Sequence, residues 1–572
     1  MYLNFKSKYD RFPKTNISGQ SDQVFVGYNE ILNNVKSSLE QKKVIVLEFY
    51  PGVNIFEVEN ELKKLDNCKL YDIEEYAKEH IEIEKMLKDN LTDDRVFGYM
   101  YKYNIEDYYD ETKLEVLRKE ISVSDKPCII YGTGASLVSN FDCLYYFDLA
   151  RWEIQLRYRA GMSNFLVSNP NEDILRKFKR GYFIEWRVAD RLKKRLFNKI
   201  DYWVDTNKSN NPKMITHKAF NIALNTIAHK PFRLVPYFDP GVWGGQWMKE
   251  VCNLPLDKDN YAWSFDGVPE ENSLYFDFGK AVLEFPAIDL VFFRPHELLG
   301  EKVHGRFGAE FPIRFDFLDT MNGQNLSLQV HPLTEYIQEK FGMHYTQDES
   351  YYILDAEDDA VVYLGVKEGV KPEELIYDLE KAQKGSCSFP DEKYINKFPA
   401  KKHDHFLIPA GTIHCSGRNA MVLEISATPY IFTFKLWDWD RLGLDGKPRP
   451  VHIEHGKHVI QYDRDTNWVK KNLINNFTVI SENEIKTGLH EREFIETHRL
   501  TFDSPIVVNN YGSVNMCNLV DGEEAIIESC DNSFEPFVVH YAETFVIPES
   551  VKSYTIKSNC NKKCSIIQAF VR

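Results

Sequence analysis

Three short segments of this chain carry side chains that could gather around a cation. In Leu326-Ser327-Leu328-Gln329-Val330-His331-Pro332, apolar and polar residues alternate, so Leu326, Leu328 and Val330 share one face of a strand and Ser327, Gln329 and His331 the other. Gln329 and His331 therefore point the same way, and Pro332 ends the run where no further ladder donor is available. Taken alone, the pair equally suits a hydrogen-bonded polar face. Glu349 heads Glu349-Ser350-Tyr351-Tyr352-Ile353-Leu354, an apolar and aromatic strand on which a carboxylate is costly unless it is paired or bound to a cation. His414 closes Ile408-Pro409-Ala410-Gly411-Thr412-Ile413-His414, where a Pro/Gly turn launches a strand bearing the imidazole. Just upstream, His403-Asp404-His405 could chelate as a pair, but beside that turn it reads as a surface or supporting element.

These segments sit in a region of short alternating strands, broken by Gly, Pro and Asn, that begins near Phe232; only Pro372 to Lys384 there has a clear helical period. From about Val459 the strands Pro505 to Asn509, Glu524 to Glu528, Pro536 to His540, Thr544 to Ile547 and Cys564 to Val571 predict a second antiparallel barrel or sandwich. Before about Asn225 the texture differs. Val44 to Phe49, Cys128 to Tyr131 and Leu144 to Leu149 read as buried strands, and Ile55 to Leu65 and Arg151 to Arg159 as helices, which is an α/β pattern. The turn Tyr50-Pro51-Gly52-Val53-Asn54 has the outline of a phosphate-binding loop without its lysine and following Ser/Thr, and Gly132-Thr133-Gly134 is half of a GxGxxG. The N-terminal part thus resembles a degenerate P-loop kinase, expected as a three-layer α/β domain without phosphotransfer activity. Lys177, Lys179, Arg180, Arg187, Arg191, Lys193, Lys194 and Arg195 mark a basic helix, expected as a solvated face because no aromatic residues interleave for base stacking. The expected division is 1–228, 229–460 and 461–572.

The chain has 572 residues, enough for about three domains. Its 70 Lys and Arg against 86 Asp and Glu leave a net charge of −16, which argues against nucleic acid and polybasic membrane roles and leaves room for a small anionic ligand met by local cations. The opening MYLNFKSKYDRFPKTNISGQ lacks the apolar core of a signal peptide, and no apolar run is long enough to span a bilayer, so a cytoplasmic location is expected. The 10 cysteines form no CxxC pair, which speaks against a thiolate zinc ribbon or disulfide scaffold.

In order, Gln329-Val330-His331-Pro332, Glu349 to Leu354, Ile408 to His414 and Leu436-Trp437-Asp438-Trp439-Asp440-Arg441 resemble class I mannose-6-phosphate isomerase of the cupin superfamily. Val242-Trp243-Gly244-Gly245 and Arg449-Pro450-Val451-His452-Ile453 extend the likeness over about residues 232 to 572. The resemblance implies a cupin barrel, a double-stranded β-helix, with one zinc ion held by Gln329, His331, Glu349 and His414. It also implies interconversion of mannose 6-phosphate and fructose 6-phosphate by proton transfer between C1 and C2. Two nitrogens, an amide oxygen and a carboxylate would leave the ion electrophilic, and such a set also suits iron, manganese or cobalt. Arg441 matches the family's catalytic arginine, and Lys435 is a candidate contact for a dianionic sugar phosphate, which needs more than one cation. Gln347 stands where many members carry a lysine thought to act in catalysis; an amide cannot move protons but can hydrogen-bond a sugar hydroxyl. That departure keeps open a non-catalytic sugar-phosphate sensor.

Overall fold

A computed structural model describes residues 2–572 except 139, 428–431, 445, 447–448, 489 and 560–561. The chain separates into two compact units. One, α/β, comprises Lys14–Thr226 with Ser273–Phe293; the other, mainly β, comprises Met1–Pro13, Ile227–Asn272 and Arg294–Arg572.

In the α/β unit, five parallel strands run in the order Lys69–Asp72, Cys128–Gly132, Val44–Phe49, Cys143–Asp148, Tyr202–Asp205, and antiparallel Lys213–Thr216 and Val24–Val26 extend the last edge. The unbroken apolar run of Val44–Phe49 suits a central parallel strand buried on both sides. Ile45, Leu47 and Phe49 pack with Ile31, Val35, Val58 and Leu62 of the helices Gly27–Leu39 and Ile55–Leu62. On the opposite face of the strand, Glu48 accepts hydrogen bonds from the Gly134 and Ser136 amides at 2.5 and 2.8 Å. Between Val26 and Asp148, the expected helices and strands form within a residue or a few of their predicted ends.

Two features differ from the sequence reading. The hairpin Ser273–Asp277 and Val282–Pro286, expected beyond residue 228 in the β region, pairs with Lys14–Asn16 and belongs to the α/β unit. Its anchor is polar: the Glu284 amide donates to Asp205, and Asn207 donates to the Glu284 carbonyl. The basic segment is helical through Ile174–Arg180, a π turn at Gly181–Glu185, and Trp186–Leu196, but only part of it is solvated: Lys194 and Arg195 are exposed. Lys177, Lys179, Arg180 and Lys193 are buried. Each has found an acceptor: Arg180 pairs with Glu185 at 2.8 Å and Glu84 at 2.6 Å, Lys193 with Asp148 at 2.7 Å and Asp289 at 2.8 Å, and Lys177 and Lys179 donate to backbone carbonyls. Apart from Glu185, these acceptors come from elements outside the basic segment, so no pattern within that stretch marks its cations as buried.

The β unit contains two pairs of antiparallel sheets. In the first pair, a six-stranded sheet runs in the order His405–Ile408, Glu349–Ala356, Ala420–Ser426, Arg314–Asp319, Trp263–Gly267, Tyr237–Asp239. It faces a five-stranded sheet in the order Ile395–Pro399, Val361–Val366, His414–Ser416, Leu328–Val330, Phe434–Trp437. The second pair, which includes the five predicted C-terminal strands, closes over a core containing Leu500, Leu519, Ile527, Phe545, Ile556 and Ile566. Among the described residues no helix is long and apolar enough to cross a membrane.

Candidate metal centre and adjoining cavity

Strand pairing brings the three sequence segments together. Gln329 sits opposite His414 on one side and Lys435 on the other, so a ligand candidate is flanked by an imidazole and an ammonium in adjacent strands. Glu349, from the facing sheet, places Oε1 2.7 Å from His414 Nε2 and Oε2 3.1 Å from His331 Nε2. Gln329 Nε2 lies 3.2 Å from His414 Nε2. His331, Glu349 and His414 are fully buried, and one ligand atom from each lies within 4.8 Å of the others.

The set has the chemistry of a metal centre. His331 Nδ1 donates to the Phe432 carbonyl and His414 Nδ1 to the Thr412 carbonyl, each at 2.9 Å, which leaves both Nε2 lone pairs directed at the common point. His331 Nε2 and Glu349 Oε1 are buried without a well-aligned hydrogen bond. Such orphaned atoms are costly unless a further partner binds them. Burial by itself would raise the Glu349 carboxyl, but His331 and His414 hold it well below the usual carboxylate range. A divalent cation accepting N and O donors fits this group. Asp348 points the other way, accepting the Ala410 amide at 2.7 Å and so fixing the turn that leads to His414.

A cavity of about 160 Å³ adjoins the centre and is lined by Gln329, Gln347 and Lys435 together with residues of the six-stranded sheet. Gln347 is held at both ends: Nε2 donates to Glu349 at 3.1 Å and to Glu424 at 3.4 Å, and Oε1 accepts the Phe432 amide at 2.7 Å. Burial, reinforced by Arg449 and Arg441 against the opposing pull of Asp438, lowers the Lys435 ammonium to about 7. Arg441 is not part of the lining. Its guanidinium donates to Asp438 Oδ1 at 2.6 Å and to the Asn325 carbonyl at 2.8 Å, while Arg449, which does line the cavity, ion-pairs with Asp438 Oδ2 at 2.8 Å.

Sequence reasoning missed four groups in this wall: Arg314, Asp316, Glu424 and Arg449. Asp316 and Glu424 are opposite each other in adjacent strands, and Arg314 pairs with Asp316. Burial pushes the Asp316 carboxyl up to about 6 against the pull of Arg314, and pushes Glu424 well up with help from Glu349 and Asp316. The available signal was alternation: Arg314 and Asp316, like Glu424, interrupt otherwise apolar strands at every second position. His403 and His405 stay outside the centre. His403 Nδ1 meets the Tyr352 hydroxyl and buried His405 Nε2 meets Ser350 Oγ, both at 2.8 Å. The Trp243 turn is as tight as its glycines suggest, since a Cβ at Gly244 or Gly245 would collide with Asn260 or Asp319, and Trp243 itself forms part of the cavity wall.

A family model described as a domain of unknown function (DUF8485) matches residues 27–229, within the N-terminal region. Mannose-6-phosphate isomerase ManA of Bacillus subtilis (strain 168) is 26% identical over 238 residues, 41% of this chain and 68% of that protein. Mannose-6-phosphate isomerase of Streptococcus mutans serotype c is 21% identical over 331 residues, 57% of this chain and 94% of that protein. The crystal structure of mannose 6-phosphate isomerase from Bacillus subtilis is similar at a TM-score of 0.49 and 19% identity, covering 59% of this chain and 99% of that one.

Proposed function

We propose that this chain is a cytoplasmic, metal-dependent aldose–ketose isomerase interconverting mannose 6-phosphate and fructose 6-phosphate. In this reading the first sheet pair is a cupin barrel with zinc held by Gln329, His331, Glu349 and His414, and 461–572 is a supporting C-terminal β domain. The observation that carries the proposal is the buried His331–Glu349–His414 set, with orphaned ligand atoms, opening beside a cavity that holds Lys435 and Arg449. The two relatives named mannose-6-phosphate isomerase support the substrate.

When bound, zinc would supply Lewis-acid polarisation of a sugar oxygen. Lys435 and Arg449 present positive charge where a phosphate or the developing enediolate needs it. Gln347, held by Glu349, Glu424 and the Phe432 amide, can bind a sugar hydroxyl but cannot accept the C2 proton. Among the described residues lining the cavity, Asp316, Glu424 and Lys435 are the side chains able to exchange that proton. Trp243 and Trp263 wall the cavity against water. Arg441 acts by fixing Asp438, which in turn holds Arg449 and accepts Ser327 Oγ at 2.7 Å.

The test is a coupled isomerase assay with mannose 6-phosphate, run beside elemental analysis and repeated after chelation and zinc return. Zinc-restorable turnover is expected. Lys435→Met should lower kcat/KM about 100-fold, and Arg441→Ala about tenfold with metal retained. An unchanged rate in either variant removes that residue from the mechanism. Gln347 in place of a lysine favours one alternative, a sugar-phosphate-binding cupin acting as a sensor; bound metal and saturable mannose 6-phosphate binding without turnover would select it.

A further inference from the structure

The α/β unit holds a larger cavity, of about 670 Å³, within the range of small-molecule sites. It opens beyond the carboxyl end of Val44–Phe49. From that strand the chain first runs outward to Lys69–Asp72 and back to Cys128–Gly132, then crosses to Cys143–Asp148 on the other side. This reversal is a topological switch point, where open parallel sheets leave a crevice between diverging loops. Three segments that follow parallel strands meet here, 49–56, the one bearing Glu74 and His80, and the Thr133 turn, together with 161–168, which follows the helix Arg151–Arg159.

Both long walls are held in place by buried cations that face the chain's own carbonyls. Arg157 Nη1 donates to the Gly52 carbonyl at 2.9 Å and Nη2 to the Thr206 carbonyl at 2.6 Å. Lys177 Nζ donates to the carbonyls of Met162 at 2.7 Å, Pro170 at 2.9 Å and Tyr158 at 3.3 Å, and Asn164 Nδ2 ties the same wall to Lys177 O at 3.2 Å. Gly52 sits at φ +107°, and a Cβ there would press on Ile154 at 2.9 Å, so the wall admits no side chain at that point. Among the described residues lining the cavity there is neither lysine nor arginine.

What faces the space is mainly aromatic, aliphatic and hydroxyl-bearing, with Glu74 and His80 as its titratable side chains. Phe56 is 73% exposed and lies at the cavity wall, where its ring face is open to a ligand, and Phe49 and Phe165 are buried behind it. Leu166, a bulky residue at φ +53°, is held in a strained conformation in the same wall. Thr133, Ser163 and Ser168 supply hydroxyl groups. Burial, with Asp72 beside it, pushes the Glu74 carboxyl up to about 8, so at neutral pH it presents a proton and an acceptor more than a charge.

We infer that this cavity binds an uncharged, planar aromatic molecule carrying hydroxyl groups, of nucleoside size, and makes no use of a phosphate on it. Phe56 stacks on the ring at the mouth, and the hydroxyl and carboxyl groups of the wall bond its polar edge. The inference is independent of the isomerase reading.

Calorimetric titration of the full-length protein with adenosine, guanosine and ATP as probes tests it. Saturable binding of at least one nucleoside is expected, with ATP binding no more tightly than adenosine. Phe56→Ala, at an exposed position that the fold tolerates, should weaken nucleoside binding about tenfold, the scale of one stacking contact. Val116→Ala, also exposed but outside the cavity lining, should leave it unchanged. Failure of both nucleosides to bind, clearly tighter binding of ATP, or unchanged affinity in Phe56→Ala each overturns the proposal.

Discussion

The two cavities are built from similar residue types put to opposite use. Beside the metal centre, Lys435 lines the space, as does Arg449 even though it is ion-paired with Asp438, and buried ligand atoms of His331 and Glu349 complete no aligned hydrogen bond with their own chain. In the α/β unit, Arg157 and Lys177 are equally at hand, but their donors are turned to backbone carbonyls and, for Arg157, to the Glu153 carboxylate, and they brace the walls of a cavity whose lining does not include them. A cation or a histidine is available for ligand chemistry only to the extent that its own fold leaves it unsatisfied. The difference between recognition and scaffolding therefore lies in hydrogen-bond partners, not in composition.

The hardest test of that distinction is removal of a ligand on the unsatisfied side. His331→Ala and His414→Ala should each lose bound metal, read by elemental analysis, and isomerase turnover should fall to the assay background. A three-donor remnant of a four-donor site binds weakly, and even changes to supporting partners cost about 10- to 100-fold in affinity. Full metal retention in both variants would end the assignment. The fold should survive, since the strands Leu328–Val330 and His414–Ser416 keep their backbone pairing on both sides.

On the scaffolding side the expected damage is to stability. Lys193 lies between Asp148 and Asp289, and all three are fully buried. Lys193→Met would strand two carboxylates in a low-dielectric interior, at a cost of about 3–5 kcal/mol, without touching the metal. Urea denaturation followed through the α/β unit should show a large fall in midpoint, with metal content unchanged. A wild-type midpoint would mean that the ammonium is dispensable, and the contrast between the two regions would lose its structural half.

The same contrast explains what could be read from the sequence. Joining His331, Glu349 and His414 with Gln329 into one ligand set came from the family resemblance, but the three were marked locally by a carboxylate on an apolar strand, by a Pro/Gly turn and by period-two alternation. The predicted C-terminal strands were legible for the same reason. Whether Lys177, Lys193 or Arg180 is solvated depends on carbonyls and carboxylates contributed by other elements, such as Asp148 and Asp289 for Lys193 and Glu84 for Arg180. No local pattern encodes that. Pairing across the sheets likewise decided which cation meets the cavity: Arg441 carried the motif, yet Lys435 is the residue placed in register with Gln329. The hairpin of Ser273–Asp277 and Val282–Pro286 reads as one more part of the β region until its backbone meets Asp205 and Asn207.

The finest contrast concerns carboxylates, and Glu48 isolates it. Glu349 is held ionised by two imidazoles, whereas Glu48, equally buried, meets mainly backbone N–H groups, with the Ser136 hydroxyl and the charge of Arg195 as lesser aids, and burial outweighs them all and pushes its carboxyl up to about 7. A folded-state pKa raised above the unfolded value of about 4.3 means that the folded chain binds the proton more tightly. The stabilisation is therefore complete below about pH 4.3 and is lost as pH rises toward 7, above which the carboxylate must be kept ionised in the interior. The size is of order 1–3 kcal/mol. Glu48→Gln removes the titration while keeping an acceptor for one of the two amides. Hydrogen exchange of the amides in Val44–Phe49, compared between wild type and Glu48→Gln from pH 4.5 to 7.5, should show the difference in opening free energy shift steadily against the wild type as pH rises. A difference that is constant with pH would show that the partners of Glu48 within its own unit suffice to keep it ionised throughout, and that this buried carboxylate is satisfied as an anion.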